Sequence, residues 1–494
     1  MGTNMVVISV VIVYLAVMVL IGYLASRKIQ DNEDFLVAGR KMGPWLLAGS
    51  LAATEVGGGS TMGVVEKAYG DWGFSAFWYV SAMAVAFIVL AFIAPMLRRA
   101  MVKTVPEYFT KRYGKKNGLV TAIIMMLPMV GLTAVQIIAS STILSVMTGW
   151  DYALSAFIVT VVVAVYSVMG GMYSVVYTDV VQWLFILVGM ALIIPFALNA
   201  GGGFTALTAN VPEAKWSMTD GTGIWTIIAL VIMYIASFTV GQEAVQRYYS
   251  AKDEKSARNA SIITSIVYAI FAFIPAFIGI LMYGMVQNGL IDGTVMANQG
   301  ANYALPLMAV EVLPSFVVGM LFAALISATM SSASSNLLAA GSIFTNDIYS
   351  QYFNKNADDK HLLKMIRWTM FVVCGLSLFI AVANFTDIIT LLVFSFTLRA
   401  GGAFIPYLVG HFWKRATAAG SMTSLIFGSI TVALAENGFL SFGGLDPIYP
   451  ALVVSAISFI GVSLLTKNKP AEDTENIKDE KTDIVNIQLS KTLK

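Results

Sequence analysis

The feature that most constrains this 494-residue chain is a series of apolar blocks, each about 20 residues or longer, separated by polar connections. Wound as helix, such a block crosses a hydrocarbon core of about 30 Å. In lipid every backbone polar group needs a partner within the chain, so the blocks must be helical. Thirteen segments qualify: 5–25, 44–68, 74–97, 119–147, 151–169, 177–199, 223–244, 259–286, 315–337, 366–384, 387–409, 416–435 and 449–466. Only 12% of the residues are charged, half the share of a soluble domain. The expectation is an all-α polytopic membrane protein in a lipid bilayer, with residues 1–466 as one transmembrane domain.

Positive charge sets the orientation. With the N-terminus outside, 27 of the 30 Lys and Arg fall on inside segments: 27–41, 98–116, 247–258, 355–367, 414–415 and the tail from 467. Lys67, Lys215 and Arg399 are the exceptions. A miscount by one helix scrambles this asymmetry, so the pattern predicts thirteen spans with the N-terminus outside and the C-terminus inside. The first block lacks a basic start and a small-residue cleavage site and is expected to be a retained span. The charge-mixed tail, 467–494, is expected to be a disordered cytoplasmic extension. Segment 200–222 is expected to be an outside loop, and 104–113 a short surface helix.

Several function classes are excluded. One cysteine, Cys374, and two histidines, His361 and His411, cannot build an ordinary zinc cluster. No P-loop motif is present. A net charge of +2 gives no basic surplus for a nucleic-acid partner. No catalytic cluster is visible, so the chain is not expected to be an enzyme.

Polar groups at membrane depth are costly and point to function. The second span carries Ala53-Thr54-Glu55-Val56-Gly57-Gly58-Gly59-Ser60-Thr61. Consecutive glycines weaken a helix by about 1 kcal/mol each relative to alanine. A helix that unwinds here frees carbonyls for a cation and presents half-helix ends to a solute; close helix packing is the competing explanation. The ninth span runs Ser327-Ala328-Thr329-Met330-Ser331-Ser332-Ala333-Ser334-Ser335-Asn336. Hydroxyls at i, i+3 and i+4 share a face and suit a hard cation, unless they bond back to their own helix. Asp179 either caps a helix or does chemistry. Glu243 and Arg247, at i and i+4, are spaced to pair. The seventh span, through Thr239, Gly241 and Gln242, is expected to be the symmetry counterpart of the broken second span. Arg399 either pairs with a carboxylate or lies near an inner mouth. Trp78, Tyr79, Gln136 and Phe396 are candidate cavity residues.

Four ordered motifs carry a resemblance: FLVAGRKMGPW at 35–45, MGGMYSVVYTDVVQ at 169–182, GQEAVQRYYS at 241–250 and AALISATMSSASSNLLAAGSIFTNDIY at 323–349. Through these the chain resembles the sodium:solute symporters. The resemblance implies a LeuT-type fold of two inverted five-helix repeats, roughly 44–199 and 223–409, and a location in the cell membrane. It implies sodium as the coupling ion, held by the carbonyls of Ala53, Val56 and Ala328 and the hydroxyls of Ser331 and Ser332, with Asp179 on the sodium exit path. Glu55, Gly57, Gly58, Ser60, Trp78, Gln136, Thr239, Gln242 and Phe396 are the substrate-binding candidates. The nearest look is to the choline carriers, yet these have Trp where Glu55 stands and again at about Gly241. Loss of that aromatic cage argues against a quaternary ammonium, and Glu55 points to a primary amine or zwitterion. The expected function is sodium-coupled import of a small organic solute by alternating access; proton coupling and a transporter-like sensor are the alternatives. The sequence leaves the oligomeric state open, and a monomer suffices.

Overall fold

The computed structural model describes residues 5–27, 32–383 and 387–467. Most of the tail expected to be disordered lies outside them. The principal helices are α1 (Met5–Ser26), α2 (Pro44–Glu55), α3 (Val64–Tyr69), α4 (Trp78–Arg99), α5 (Lys115–Thr148), α6 (Tyr152–Ala200), α7 (Ile224–Val240) and α8 (Gln242–Ser250). They continue as α9 (Glu254–Phe271), α10 (Phe273–Gln287), α11 (Ser315–Ile343), α12 (Asp359–Ala383), α13 (Ile388–Phe412), α14 (Ala418–Glu436) and α15 (Ile448–Leu465).

Among the described residues ten helical stretches are long and apolar enough to cross a bilayer. The pair α7 and α8, bent by 54° at Gly241, makes eleven. The other two expected spans are helical but interrupted. Residues 44–69 break at 56–58, where the glycine run takes away helix-forming strength, and a π-helical turn, Gly59–Gly63, leads on into α3. Segments 151–169 and 177–199 form one long helix, α6, bent at Gly171, which adopts φ 52° and ψ −165°. A Cβ there would stand 2.7–2.8 Å from the ring and carbonyl of Phe35, so glycine is required on both counts.

Helix α11 forms the spine. It packs on α1, α5 and α6, while α2 lies against α6 and α9. Helix α13 contacts α5, α7 and α14. Outward faces carry apolar side chains such as Ile12, Phe92, Leu127, Phe157, Ile266, Phe379 and Ile457, all exposed, as lipid-facing surfaces do. Trp45, Trp150 and Trp225 are exposed near helix ends, where amphipathic rings suit a membrane interface. The mainly apolar interior also holds charged groups: Arg399 and Arg247 are 0% and 1% exposed.

The expected surface helix is present as Val105–Tyr113. Its start is capped by Thr104: the Glu107 amide donates to Thr104 Oγ1 at 3.1 Å, and the Glu107 carboxylate accepts from the Lys103 amide at 2.6 Å. Segment 200–222 is largely loop, with two short helical turns at Phe204–Thr208 and Glu213–Trp216.

Candidate functional site

The break after α2 is both a rupture of the helix and a tight packing point. Downstream hydroxyls close part of it: Ser60 donates to the Glu55 carbonyl at 2.9 Å and Thr61 to the Gly57 carbonyl at 2.8 Å. The Gly58 amide donates to Gln136 Oε1 at 2.8 Å. The carbonyls of Ala53 and Val56 receive no hydrogen bond from any described residue, which leaves two buried oxygens free for a cation. The glycines also admit their neighbours. A Cβ at Gly57 would lie 2.5 Å from Gln136 Oε1 and 2.6 Å from Ser332 Oγ, and one at Gly59 would lie 2.1 Å from Leu392 Cδ1.

The hydroxyls of α11 divide into two sets. Thr329, Ser334 and Ser335 bond back to carbonyls of their own helix at 2.7–2.9 Å. Ser332 and Ser331 do not. Ser332 donates to the Thr54 carbonyl at 2.6 Å, and Ser331 donates to Asp179 Oδ1. The two serines expected to bind sodium thus give their protons to acceptors on other helices, α2 and α6, rather than to their own backbone. A serine whose proton is committed to a carboxylate keeps its lone pairs, which improves it as a ligand for a hard cation.

Asp179 is not a helix cap. It lies eight residues beyond the Gly171 bend, wholly buried, and its Oδ2 accepts from Ser50 at 2.5 Å and from Arg247 at 3.1 Å. Arg247 also donates to Ser50 Oγ at 2.8 Å, Ser335 Oγ at 2.8 Å and the Glu243 carbonyl at 2.6 Å. The expected side-chain pair between Glu243 and Arg247 is thus corrected. Glu243 turns the other way and pairs with Arg399 at 2.6 Å, while Ser237 accepts from Arg399 Nε at 2.6 Å. Each buried cation meets a carboxylate from a different helix. The helical alternative, an i, i+4 contact within α8, would have left Asp179 and Arg399 buried without counter-charges.

A cavity sits between these networks. It is lined by Thr54, Glu55, Gly57, Gly59, Ser60, Tyr79, Met83, Leu132, Gln136, Glu243, Ser332, Asn336, Leu392 and Phe396. Every one of these residues is buried, so this is a closed state. The volume open to a water centre is about 20 Å³, room for one or two waters. A larger solute requires the lining to move apart. Glu55 lines this space, and its Oε1 is buried with no hydrogen-bond partner, a costly arrangement unless a ligand supplies a donor.

Of the substrate candidates, Glu55, Gly57, Ser60, Gln136 and Phe396 line the cavity, and Gly58 touches it through its amide bond to Gln136. Three lie elsewhere. Trp78 Nε1 donates to the Met218 carbonyl at 2.9 Å, because it begins α4 and reaches into the 200–222 loop. Gln242 binds the backbone of Lys103 and Val105 at 2.9 Å, holding the turn before the surface helix. Thr239 bonds back to the Ile235 carbonyl at 2.6 Å. Met83, Leu132 and Leu392 also line the cavity. Nothing in an apolar span distinguishes such residues from scaffold, so no sequence signal marks them.

Comparison with known proteins accords with this architecture. The osmoregulated proline transporter OpuE of Bacillus subtilis is 27% identical, over 93% of this chain and 94% of that one. The sodium/proline symporter of Escherichia coli is 26% identical over 92% of each. The sodium/sialic acid symporter SiaT of Proteus mirabilis is 26% identical over 86% and 88%. A solved Na+-coupled sialic acid symporter, substrate-bound and outward-open, superposes with a TM-score of 0.81 at 23% identity, covering 94% of this chain and 99% of that one. MhsT in complex with L-phenylalanine gives 0.55 at 14% identity, over 85% and 98%. The model of the sodium:solute symporter family matches residues 35–428, and the chain belongs to that family: it is a membrane carrier that couples solute movement to sodium.

Proposed function

We propose that this protein imports a small zwitterionic or amine-bearing solute together with sodium by alternating access. The observation that carries the reading is Glu55, which lines a closed cavity at a helix break and keeps one buried carboxylate oxygen without a partner. An ammonium supplies the missing donor and the missing charge. Relatives described as proline carriers support a zwitterion; those described as sialic acid carriers show that the same framework serves larger solutes.

Sodium is the co-transported substrate. Its expected ligands are the carbonyls of Ala53, Val56 and Ala328 and the hydroxyls of Ser331 and Ser332. The unpaired carbonyls at the break and the contact from Ser332 to Thr54 support this set. A cation there holds α2 to α11. Since Thr54, Glu55 and Ser332 also line the cavity, the same closure completes the solute site, which is the differential affinity that coupling requires. The bond from Ser331 supports a role for Asp179 on the inward release route, and in this proposal separation of α11 from α2 frees both ligands.

The membrane arrangement belongs to this proposal: thirteen crossings, N-terminus outside, C-terminus inside, in the cell membrane, with inverted repeats at about 44–199 and 223–409. The matched interruptions at Val56 and Gly241 support the repeat, each falling in its first helix. The test is uptake into proteoliposomes containing the purified protein, using radiolabelled amino acids, amines and sugars under an inward sodium gradient. Uptake of an amino acid only with sodium supports the reading; uptake indifferent to sodium for every solute overturns it.

A further inference from the structure

The second helix break holds a positive group that the sodium chemistry does not use. Arg399 is 0% exposed and reaches α8 from α13. Its Nε donates to Ser237 and its Nη1 to Glu243, but Nη2 has no hydrogen-bond partner. That free nitrogen points at the break: a Cβ on Gly241 would stand 2.6 Å from it and 2.9 Å from Glu243 Oε1. Gly241 is also the residue that opens α8, a nine-residue helix whose first amides have no side-chain cap. A helix start attracts anions, and here an unspent guanidinium N–H is buried against it. The guanidinium lies 4.9 Å from the ring of Phe396, and Phe396 and Glu243 both line the cavity.

We infer that Arg399 and the start of α8 form the carboxylate subsite of the solute site, with Glu243 as a placeholder that gives way when the solute enters. The solute class follows from the two ends. Glu55 takes an ammonium, Arg399 takes a carboxylate, and Met83, Leu132, Leu392 and Phe396 enclose a small apolar body: a neutral α-amino acid. Charge balance gives sodium a role in this exchange. With Glu55 ionised, as an ammonium partner requires, Glu55, Glu243 and the adjoining Arg399 together carry one negative charge at a buried site. A zwitterion adds none, so a single sodium ion neutralises the closed site, and an uncompensated buried charge opposes closure without it. Glycine at position 241 is what leaves room for the guanidinium.

This inference rests on the symporter reading, so its test separates the two. Purified wild-type protein is titrated in sodium buffer with L-alanine, L-valine and L-proline and with their carboxyl amides, which keep the ammonium and lose the carboxylate. The expected result is that at least one of the acids binds and that its amide binds at least about tenfold more weakly, since a charged donor loses its partner. Glu243→Gln, which removes the placeholder, is expected to bind that acid more tightly and to widen the ratio of acid to amide. A pair that served structure alone would lose stability without any gain in affinity. Equal binding of an acid and its amide, or sodium-driven uptake confined to solutes without a carboxylate, overturns the subsite while leaving sodium symport intact. Should Glu243→Gln not fold, the wild-type ratio alone decides.

Discussion

The Ser332 hydroxyl donates to the Thr54 carbonyl at 2.6 Å, joining the middle of α11 to the last turn of α2 beside the cavity. The contact places a proposed sodium ligand and a cavity-lining residue on the same pair of helices. Loss of this hydroxyl acts on sodium first. Ser332→Ala is expected to raise the sodium concentration for half-maximal uptake by about tenfold or more, an oxygen ligand and a net hydrogen bond being lost together. Solute affinity at saturating sodium should change little, and Ser332→Thr should restore most of the sodium response. Initial uptake rates across a sodium titration measure this; an unchanged sodium requirement with impaired solute affinity would speak against it.

Asp179→Asn leaves Arg247 buried without its counter-charge. The expected cost is about 3–5 kcal/mol, as for other broken buried pairs, seen as a large fall in the thermal unfolding midpoint in detergent. Replacing both partners, Asp179→Asn with Arg247→Gln, should recover part of that loss. A double-mutant cycle gives the coupling between them. A cycle with no coupling would mean that the two side chains contribute independently of the 3.1 Å contact.

Gly59 faces Leu392 so closely that a Cβ would sit 2.1 Å from its Cδ1. Gly59→Ala is expected to destabilise the closed state by about 1–3 kcal/mol through overpacking and to lower the maximal uptake rate. Adding Leu392→Ala should relieve the clash and restore part of the rate. Kinetics of the single and double variants check this; a double variant no better than the single one would contradict the packing account.

How far the sequence led can be judged at particular residues. Apolar block length and the glycines of 57–59 point to the ten long apolar helices and the first break, because both are local properties of backbone and solvent. Spacing alone gives Ser331 and Ser332 only as members of a hydroxyl-rich stretch, and it is the family resemblance that singles them out. Which hydroxyls turn back to their own helix and which cross to α2 and α6 depends on neighbours more than a hundred residues away. The same holds for charge: spacing suggested that Glu243 and Arg247 pair, whereas packing pairs them with Arg399 and Asp179. Trp78 and Gln242 have the chemistry of binding residues but spend it on backbone carbonyls and amides at helix ends. Leu132 and Leu392 line the cavity with side chains that no composition argument separates from lipid-facing ones.

Glu55→Gln tests the role assigned to the unpaired carboxylate. Binding of an amino acid is expected to weaken strongly, because a neutral amide replaces the charge that meets the ammonium. Sodium binding measured without solute should persist, since the proposed sodium ligands lie on other atoms. A variant that loses sodium dependence but keeps its solute selectivity would rule out the amine-partner role.

The central claim, that sodium drives solute entry through the joint closure of α2 and α11, is tested most directly by proteoliposome uptake under separately imposed gradients. An inward sodium gradient should drive accumulation of the solute against its own gradient. Replacing sodium by potassium while imposing an inward proton gradient should abolish that accumulation. Equal accumulation on the proton gradient without sodium would contradict the account.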